Sequence, residues 1–357
     1  MEEMDPGNAL YFPFFALLVG CLLLVLFQDR SPLPYTVVLM LLGILVAVAS
    51  YHFDLGSISH SIDLWVHVDP PEILLYVFLP PLLYESAFGS DWFVFRRLLP
   101  SILVLAFLLV FFNVAVVGLL TTYIIPAEWG DVDSQSRLIA NFLVAAILSS
   151  TDPVAVVALL KEAGAPMQVR TLIEGESLLN DASAFVLFEV LLEVMNPTVQ
   201  TPSVLSALTH CARLSVGGVA VGVAFGVLCA LLLSCTNDTV TEISIALFGM
   251  YLGYYIAQSM GYSGVLSVVI FGLMMCALGA SYISPTSLEP KHRFMEQLGF
   301  TANTVIFMYS GLIVAYFALK FGSRLTTYDY IYAIVWYLIL NCIRALGLFV
   351  LSPLLRR

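Results

Sequence analysis

Long apolar runs separated by short polar breaks organise this chain from one end to the other. A helix rises about 1.5 Å per residue, so crossing the hydrocarbon of a bilayer takes roughly 20 apolar residues. Runs such as Leu98 to Val117 and Val219 to Leu233 meet that length or approach it. The pattern predicts about eleven spans, at 9–27, 35–50, 72–90, 98–125, 138–160, 170–195, 204–233, 240–259, 262–280, 297–319 and 327–352. Only Gly261-Tyr262-Ser263 separates the eighth from the ninth. The predicted fold class is an all-α polytopic membrane protein.

Composition agrees with that pattern. Of the 357 residues, 60% are hydrophobic and 11% charged, with a mean hydropathy of +0.96. A soluble chain carries about a quarter charged residues. The chain opens Met1-Glu2-Glu3-Met4-Asp5, acidic where a cleavable signal peptide is basic, so the first apolar run reads as a retained span. The six cysteines show no zinc spacing and no disulfide framework, and read as small packing residues. The formal charge of −11 offers no surface for nucleic acid, and its distribution carries more information.

Lysine and arginine concentrate in cytoplasmic loops. With the N-terminus extracytoplasmic, Arg30, Arg96, Arg97, Lys161, Arg170, Lys291, Arg293, Arg356 and Arg357 fall on the cytoplasmic side, and Arg137, Lys320 and Arg324 on the other. Arg213 and Arg344 lie within spans. Acid collects in the outer loops, at Asp54, Asp63, Asp69, Glu72, Glu128, Asp131 and Asp133. The alternation supports the span count.

An ionisable group inside a bilayer is costly, so each one is a functional candidate. The fifth span contains Ser149-Ser150-Thr151-Asp152-Pro153. Proline lacks a backbone donor and clashes with the preceding turn, which predicts a break near Thr151. Freed carbonyls and a threonine hydroxyl beside a carboxylate are hard oxygen ligands for a small cation. The same residues also suit a proline kink in which Asp152 caps the second half-helix, and the two readings are compatible. The sixth span contains Glu174-Gly175-Glu176-Ser177-Leu178-Leu179-Asn180-Asp181. Helical spacing stacks Glu176 with Asn180 and Ser177 with Asp181. A cytoplasmic helix end accounts for Glu174, but not for Asp181, which lies about two turns deeper with an apolar continuation. Arg344, well inside the last span, needs a partner, and Glu176 is the candidate. Arg213 either snorkels or pairs with an outer acid. Glu85 lines a vestibule or is a plain interfacial residue. His52, His60 and His67 share one outer loop with no metal spacing, and read as solvated or as sensors of external pH.

In order along the chain, these residues resemble the sodium/proton exchanger branch of the cation/proton antiporters, in its plant salt-tolerance and sperm-type forms. The resemblance rests on Ser150-Thr151-Asp152-Pro153-Val154-Ala155-Val156-Val157 and on Glu174 to Asp181. It extends to Phe78-Leu79-Pro80-Pro81-Leu82, Gly261 to Leu266 with Gly272, Ala302 to Phe307, and Arg344-Ala345-Leu346-Gly347. It implies an inverted-repeat antiporter fold of thirteen helices with a broken fifth helix, usually dimeric. On this chain, 9–195 would be the first inverted repeat, 204–233 a linker helix and 240–357 a partial second repeat. The resemblance makes Asn180 and Asp181 the ion-site pair, assisted by Thr151 and Asp152, with Glu176 and Arg344 as a structural ion pair. The helical stacking on Asp181 adds Ser177 to the cation- and proton-binding set. Asp181, Asp152 and Thr151 would hold the transported Na+, and Glu85 and Asn303 would line a vestibule or the site wall. An Asn-Asp pair goes with electroneutral exchange in the family.

Two departures stand out. The chain stops at Arg357 after the eleventh span, which gives the expectation of a fold truncated before the family's twelfth and thirteenth helices. Gln258 and Asn303 occupy positions where several animal exchangers carry glutamate. The resulting expectation is a Na+/H+ antiporter in the plasma membrane, a homodimer that regulates pH, with no cofactor and no enzymatic activity. Li+ or K+ remain open as alternative cations, and a channel-like cation or pH sensor is the competing function.

Overall fold

Prolines, glycines and capping side chains decide where the apolar runs start and stop as helices. The computed structural model describes residues 9–27, 34–67, 73–123, 134–151, 153, 156–157, 159–160, 163–195, 204–279, 285–320 and 327–355. The described residues form helices and short connections, with no strand among them. The helices are α1 (Tyr11–Phe27), α2 (Tyr35–His52), α3 (Ser57–His67) and α4 (Leu79–Phe88), the last continuing a π-helical turn at Leu74–Phe78. Next come α5 (Trp92–Leu103), a π-helical turn at Val104–Leu109, and α6 (Val110–Tyr123). They are followed by α7 (Ser134–Ser149), α8 (Met167–Met195), α9 (Val204–Leu233), α10 (Thr239–Ser259) and α11 (Gly264–Met274), which ends in a π-helical turn at Met275–Gly279. The last two are α12 (Pro285–Lys320) and α13 (Thr327–Leu355). Six helical stretches among the described residues are long and apolar enough to cross a membrane, and four shorter apolar ones accompany them.

Helices occupy the predicted spans, with several differences in extent, α5 for instance starting at Trp92 rather than 98. The tenth span begins at Pro285 rather than 297, because proline is tolerated at the first helical position, where its missing N–H has no partner to lose. The outer loop that carries the three histidines contains α3, whose Ile58, Ile62, Trp65 and Val66 pack into a core. Those residues follow an i, i+4, i+7, i+8 spacing over only eleven residues, too short to register as a span.

The chain divides into two units, each assembled from distant stretches of sequence. The first comprises Met1–Leu82 and Arg293–Ile331. Its core joins Phe12, Ala16, Ala47, Ile62, Met308, Tyr309 and Leu312. Ser61 Oγ accepts the Phe12 N–H at 2.9 Å, and the Tyr309 hydroxyl donates to the Trp65 carbonyl at 2.8 Å. Here α2 and α12 cross in backbone contact. A Cβ on Gly43 would lie 2.0 Å from the Met308 carbonyl oxygen, and one on Gly311 would lie 2.0 Å from that of Met40.

The second unit comprises Leu83–His292 and Tyr332–Arg357. In it Gly218, Gly222 and Gly226 recur every fourth residue on α9 and admit Ser263, Ser267 and Met274, from the start of α11 to its last turn. The π-helical turn after Pro100 opens the backbone, and its Ala106 carbonyl accepts the Ser183 hydroxyl of α8 at 2.7 Å. That bond fixes α8 along its middle, where the polar residues lie.

Candidate ion site

The second unit holds the polar centre. Helix α7 ends at Ser149, and Ser150, Thr151 and Pro153 are not helical. Helical structure resumes by Val156, with the Val157 N–H reaching the Pro153 carbonyl at 2.8 Å. Gly164, at φ +68°, ends this second stretch, and the Ala165 N–H closes back on the Leu160 carbonyl at 2.9 Å. The span is therefore interrupted among its described residues, as the proline chemistry requires. Asp152 lies outside the described residues.

The interruption is tied to α8 and α13. The Ser150 hydroxyl donates to Asp181 Oδ1, and the Ser177 hydroxyl donates to the Thr151 carbonyl at 3.1 Å. Arg344 Nη1 donates to Thr151 Oγ1. Arg344 Nη2 lies 3.1 and 3.0 Å from the two oxygens of Glu176. Asn180 Nδ2 reaches the same carboxylate at 3.4 Å. Glu176, Ser177 and Asn180 are buried. Gly175 allows α8 to close on Phe95 and Ile102 of α5. Gly347, one turn beyond Arg344, lets α13 approach Leu109 and Phe112, which carries the guanidinium to the break.

Asp181, Thr151, Ser177, Asn180, Glu176 and Arg344 thus come together in one unit. Asn180 Oδ1 is buried and has no hydrogen-bond partner among the described residues. A buried amide oxygen in that state is costly unless a ligand or water satisfies it. It is a hard oxygen donor, the type that hard cations take. Glu85 lies half-buried near the end of α4. Asn303 lies half-buried on α12 in the other unit, next to Thr304, which hydrogen-bonds the Tyr35 hydroxyl at 3.0 Å. Arg213 has its guanidinium 6.0 Å from the centroid of the Tyr262 ring, at the limit of a cation–π contact. His52 sits at the end of α2 edge-on to Tyr51, while His60 and His67 lie on α3.

Several residues that the sequence did not single out as site candidates stand out in the same unit. Ser150 touches Asp181, whereas both Thr151 oxygens are engaged by Arg344 and Ser177. Glu242, in the first turn of α10, and Lys291, near the start of α12, are both fully buried. Lys291 Nζ lies 4.8 Å from the centroid of Phe88, with the Glu242 carboxylate in electrostatic reach. Near a predicted span end, charged residues are ordinary, so only the longer helices could have signalled their burial.

The sequence matches the family described as sodium/hydrogen exchanger, transmembrane, over residues 14–357. The chain belongs to that family. It is 36% identical to sodium/hydrogen exchanger 7 of Arabidopsis thaliana over 99% of its own length and 30% of that protein's. Likewise, it is 32% identical to the low-affinity Na(+)/H(+) antiporter NhaS1 of Synechocystis over 78% of its length and 49% of that protein's. The chain therefore spans less than half of these relatives. Its fold is similar to that of the sodium proton antiporter MjNhaP1 from Methanocaldococcus jannaschii, with a TM-score of 0.65 at 18% identity, covering 85% of this chain and 70% of that one. The family and the six helices long and apolar enough to cross a membrane make it a multi-pass membrane protein.

Proposed function

We propose that this chain carries out Na+/H+ exchange by alternating access, with Asp181 holding the cation and the proton in turn. The observation that carries this reading is the contact of Ser150 with Asp181 at the interrupted helix, next in sequence to Asn180 with its unsatisfied buried Oδ1. Interrupted helices at mid-membrane are where transporters place their ion sites, since freed backbone groups can face a ligand. Na+ or a proton on Asp181 leaves the carboxylate neutral in either case. If only the neutral site reorients, a sodium gradient expels protons one for one and the exchange is electrically silent. Thr151, Ser177 and Asp152 shape the site, while the Glu176–Arg344 pair holds α8, α13 and the break in register. Glu85 and Asn303 are assigned to the approaches. No cofactor takes part, and Li+ or K+ would compete for the same oxygens. The protein operates as a homodimer in the plasma membrane, its N-terminus extracytoplasmic.

The test uses purified protein in proteoliposomes and records internal pH after a sodium jump. Asp181→Asn should abolish sodium-driven proton movement while leaving the protein folded. Coupled flux that persists in this variant would remove Asp181 from the centre of the mechanism. Currents far above carrier turnover would instead favour a channel-like module.

A further inference from the structure

Helix α8 carries a further carboxyl, beyond Asp181, that this mechanism does not use. Glu189 lies eight residues beyond Asp181, about 12 Å further along the helix. It is half-buried and hydrogen-bonded to Gln258 of α10, while its Oε2 is buried without a hydrogen-bond partner among the described residues. Val186 and Val190 on either side pack against Leu214 and Cys211 of α9, so the surroundings are apolar. One helical turn further on, Glu193 meets His210 of α9 at 2.6 Å, with side chains 53% and 31% exposed. The i, i+4 spacing sets Glu189 and Glu193 on one face, running from the buried acid to the solvent-accessible pair.

Among the described residues, burial and the Gln258 hydrogen bond act on Glu189, and no cation is paired with it. Gln258 is neutral, α11 carries no titratable side chain, and Cys211 is a thiol. The nearest charges on α9 are His210, paired with Glu193, and Arg213, over the Tyr262 ring. Helix α7 carries one charged group, Arg137, close to its N-terminus. An ionised carboxylate desolvated in this way is costly, and a bound proton removes the cost.

We propose that Glu189 is a second proton-binding site, reached through the Glu193–His210 pair from the extracytoplasmic face and separate from Asp181, whose occupancy sets one limb of the pH dependence of exchange. The assignment of faces rests on the function and orientation proposed above. Gln258 serves as the fixed partner: its amide accepts from the protonated acid or donates to the ionised one.

The experiment measures sodium-driven exchange against pH in proteoliposomes, with infrared difference spectra between acid and alkaline pH on the same samples. Glu189→Gln, which mimics the proton-loaded form, should keep exchange, lose that limb of the profile and lose one protonated-carboxyl band. Glu189→Asp should keep the limb with its midpoint displaced by about one pH unit, a tenfold change in proton affinity. The variants Glu193→Gln and His210→Gln, at a pair open to solvent, should displace the same midpoint. Profiles that superimpose on the unsubstituted protein in all four variants, or a band that survives Glu189→Gln, would overturn the proposal. If the unsubstituted protein shows no exchange, the functional reading fails, and the carboxyl band alone decides whether Glu189 binds a proton.

Discussion

Arg344 grips Glu176 with one guanidinium nitrogen and Thr151 with the other, so a single side chain of α13 fastens both α8 and the interrupted segment. Breaking a buried pair from one side strands the remaining charge, which costs about 3–5 kcal/mol. The Arg344 side chain keeps 28% of its exposure, so solvent screens part of that cost and about 2–3 kcal/mol remains. Arg344→Ala should therefore lower the unfolding midpoint of the detergent-solubilised protein by that equivalent. Arg344→Ala combined with Glu176→Gln should recover part of the loss, because no charge is then left unpaired. A double variant no more stable than the single one would show that the attraction between these two residues is not what holds the segment.

The contact between Ser150 and Asp181 leads to a kinetic expectation. A hydroxyl donating to an ionised carboxylate contributes about 1.5–3 kcal/mol when the charge is present. Ser150→Ala should raise the apparent KM for Na+ about tenfold, with maximal exchange largely kept, because the carboxylate loses one of the groups that orients it. Thr151→Ala acts instead through Arg344, and should lower stability more than it changes KM. Identical kinetics in Ser150→Ala and the unsubstituted protein would place Ser150 outside the cation shell.

The spans could be read from sequence because a bilayer demands long apolar helices, and Val204–Leu233 was bounded to the residue. The pairing of Glu176 with Arg344 could be read for the same reason: each was a charge too deep to be solvated. Other features left weaker traces. Helix α3 buries its apolar face in eleven residues, and the extension of α12 back to Pro285 runs through polar sequence. The π-helical turns at Leu74–Phe78 and Val104–Leu109 lie beside Pro80-Pro81 and after Pro100. Proline signals a disturbance there, but which carbonyl is freed, and that Ser183 finds it, depends on the packing of a helix far away in sequence. In the unwound segment Ser150 meets Asp181 while Thr151 meets Arg344 and Ser177, a division that no helical spacing describes.

Asp238 gives a pH dependence at a helix start outside the spans. It caps α10, accepting from the Thr241 N–H at 2.9 Å and its hydroxyl at 2.8 Å, and these bonds hold its carboxyl below the ordinary aspartate value. A depressed folded-state value means that the cap stabilises above the unfolded aspartate range, near pH 4, and fades as pH falls through the lower folded value. Amide hydrogen exchange at Thr241 and Glu242 should therefore accelerate in Asp238→Ala at neutral pH. The difference from the unsubstituted protein should shrink as the solution is acidified. A difference that stays constant down to strongly acid pH would mean the carboxylate charge contributes nothing to the cap.

The crossing of α2 and α12 in the first unit allows the sharpest structural prediction. At both Gly43 and Gly311 the atom that a Cβ would strike is a backbone carbonyl oxygen, 2.0 Å away, and no rotamer change can move it. The helices would have to separate, taking Met308 and Leu312 out of contact with Ala47. Overpacking commonly costs about 1–3 kcal/mol, and a clash with backbone belongs at or above the upper end of that range. Gly43→Ala and Gly311→Ala should each lower the yield and unfolding midpoint of the folded protein, and Gly43→Val more so. Gly253→Ala is the control, because its added carbon would meet Phe225 and Ser267 at 3.5 Å or beyond, an ordinary contact. Equal stability of Gly43→Ala and Gly253→Ala would mean that the helices do not cross in backbone contact. Since the crossing lies in the other unit from Asp181, a suppressor that restores folding in Gly43→Ala should restore exchange with an unchanged KM for Na+.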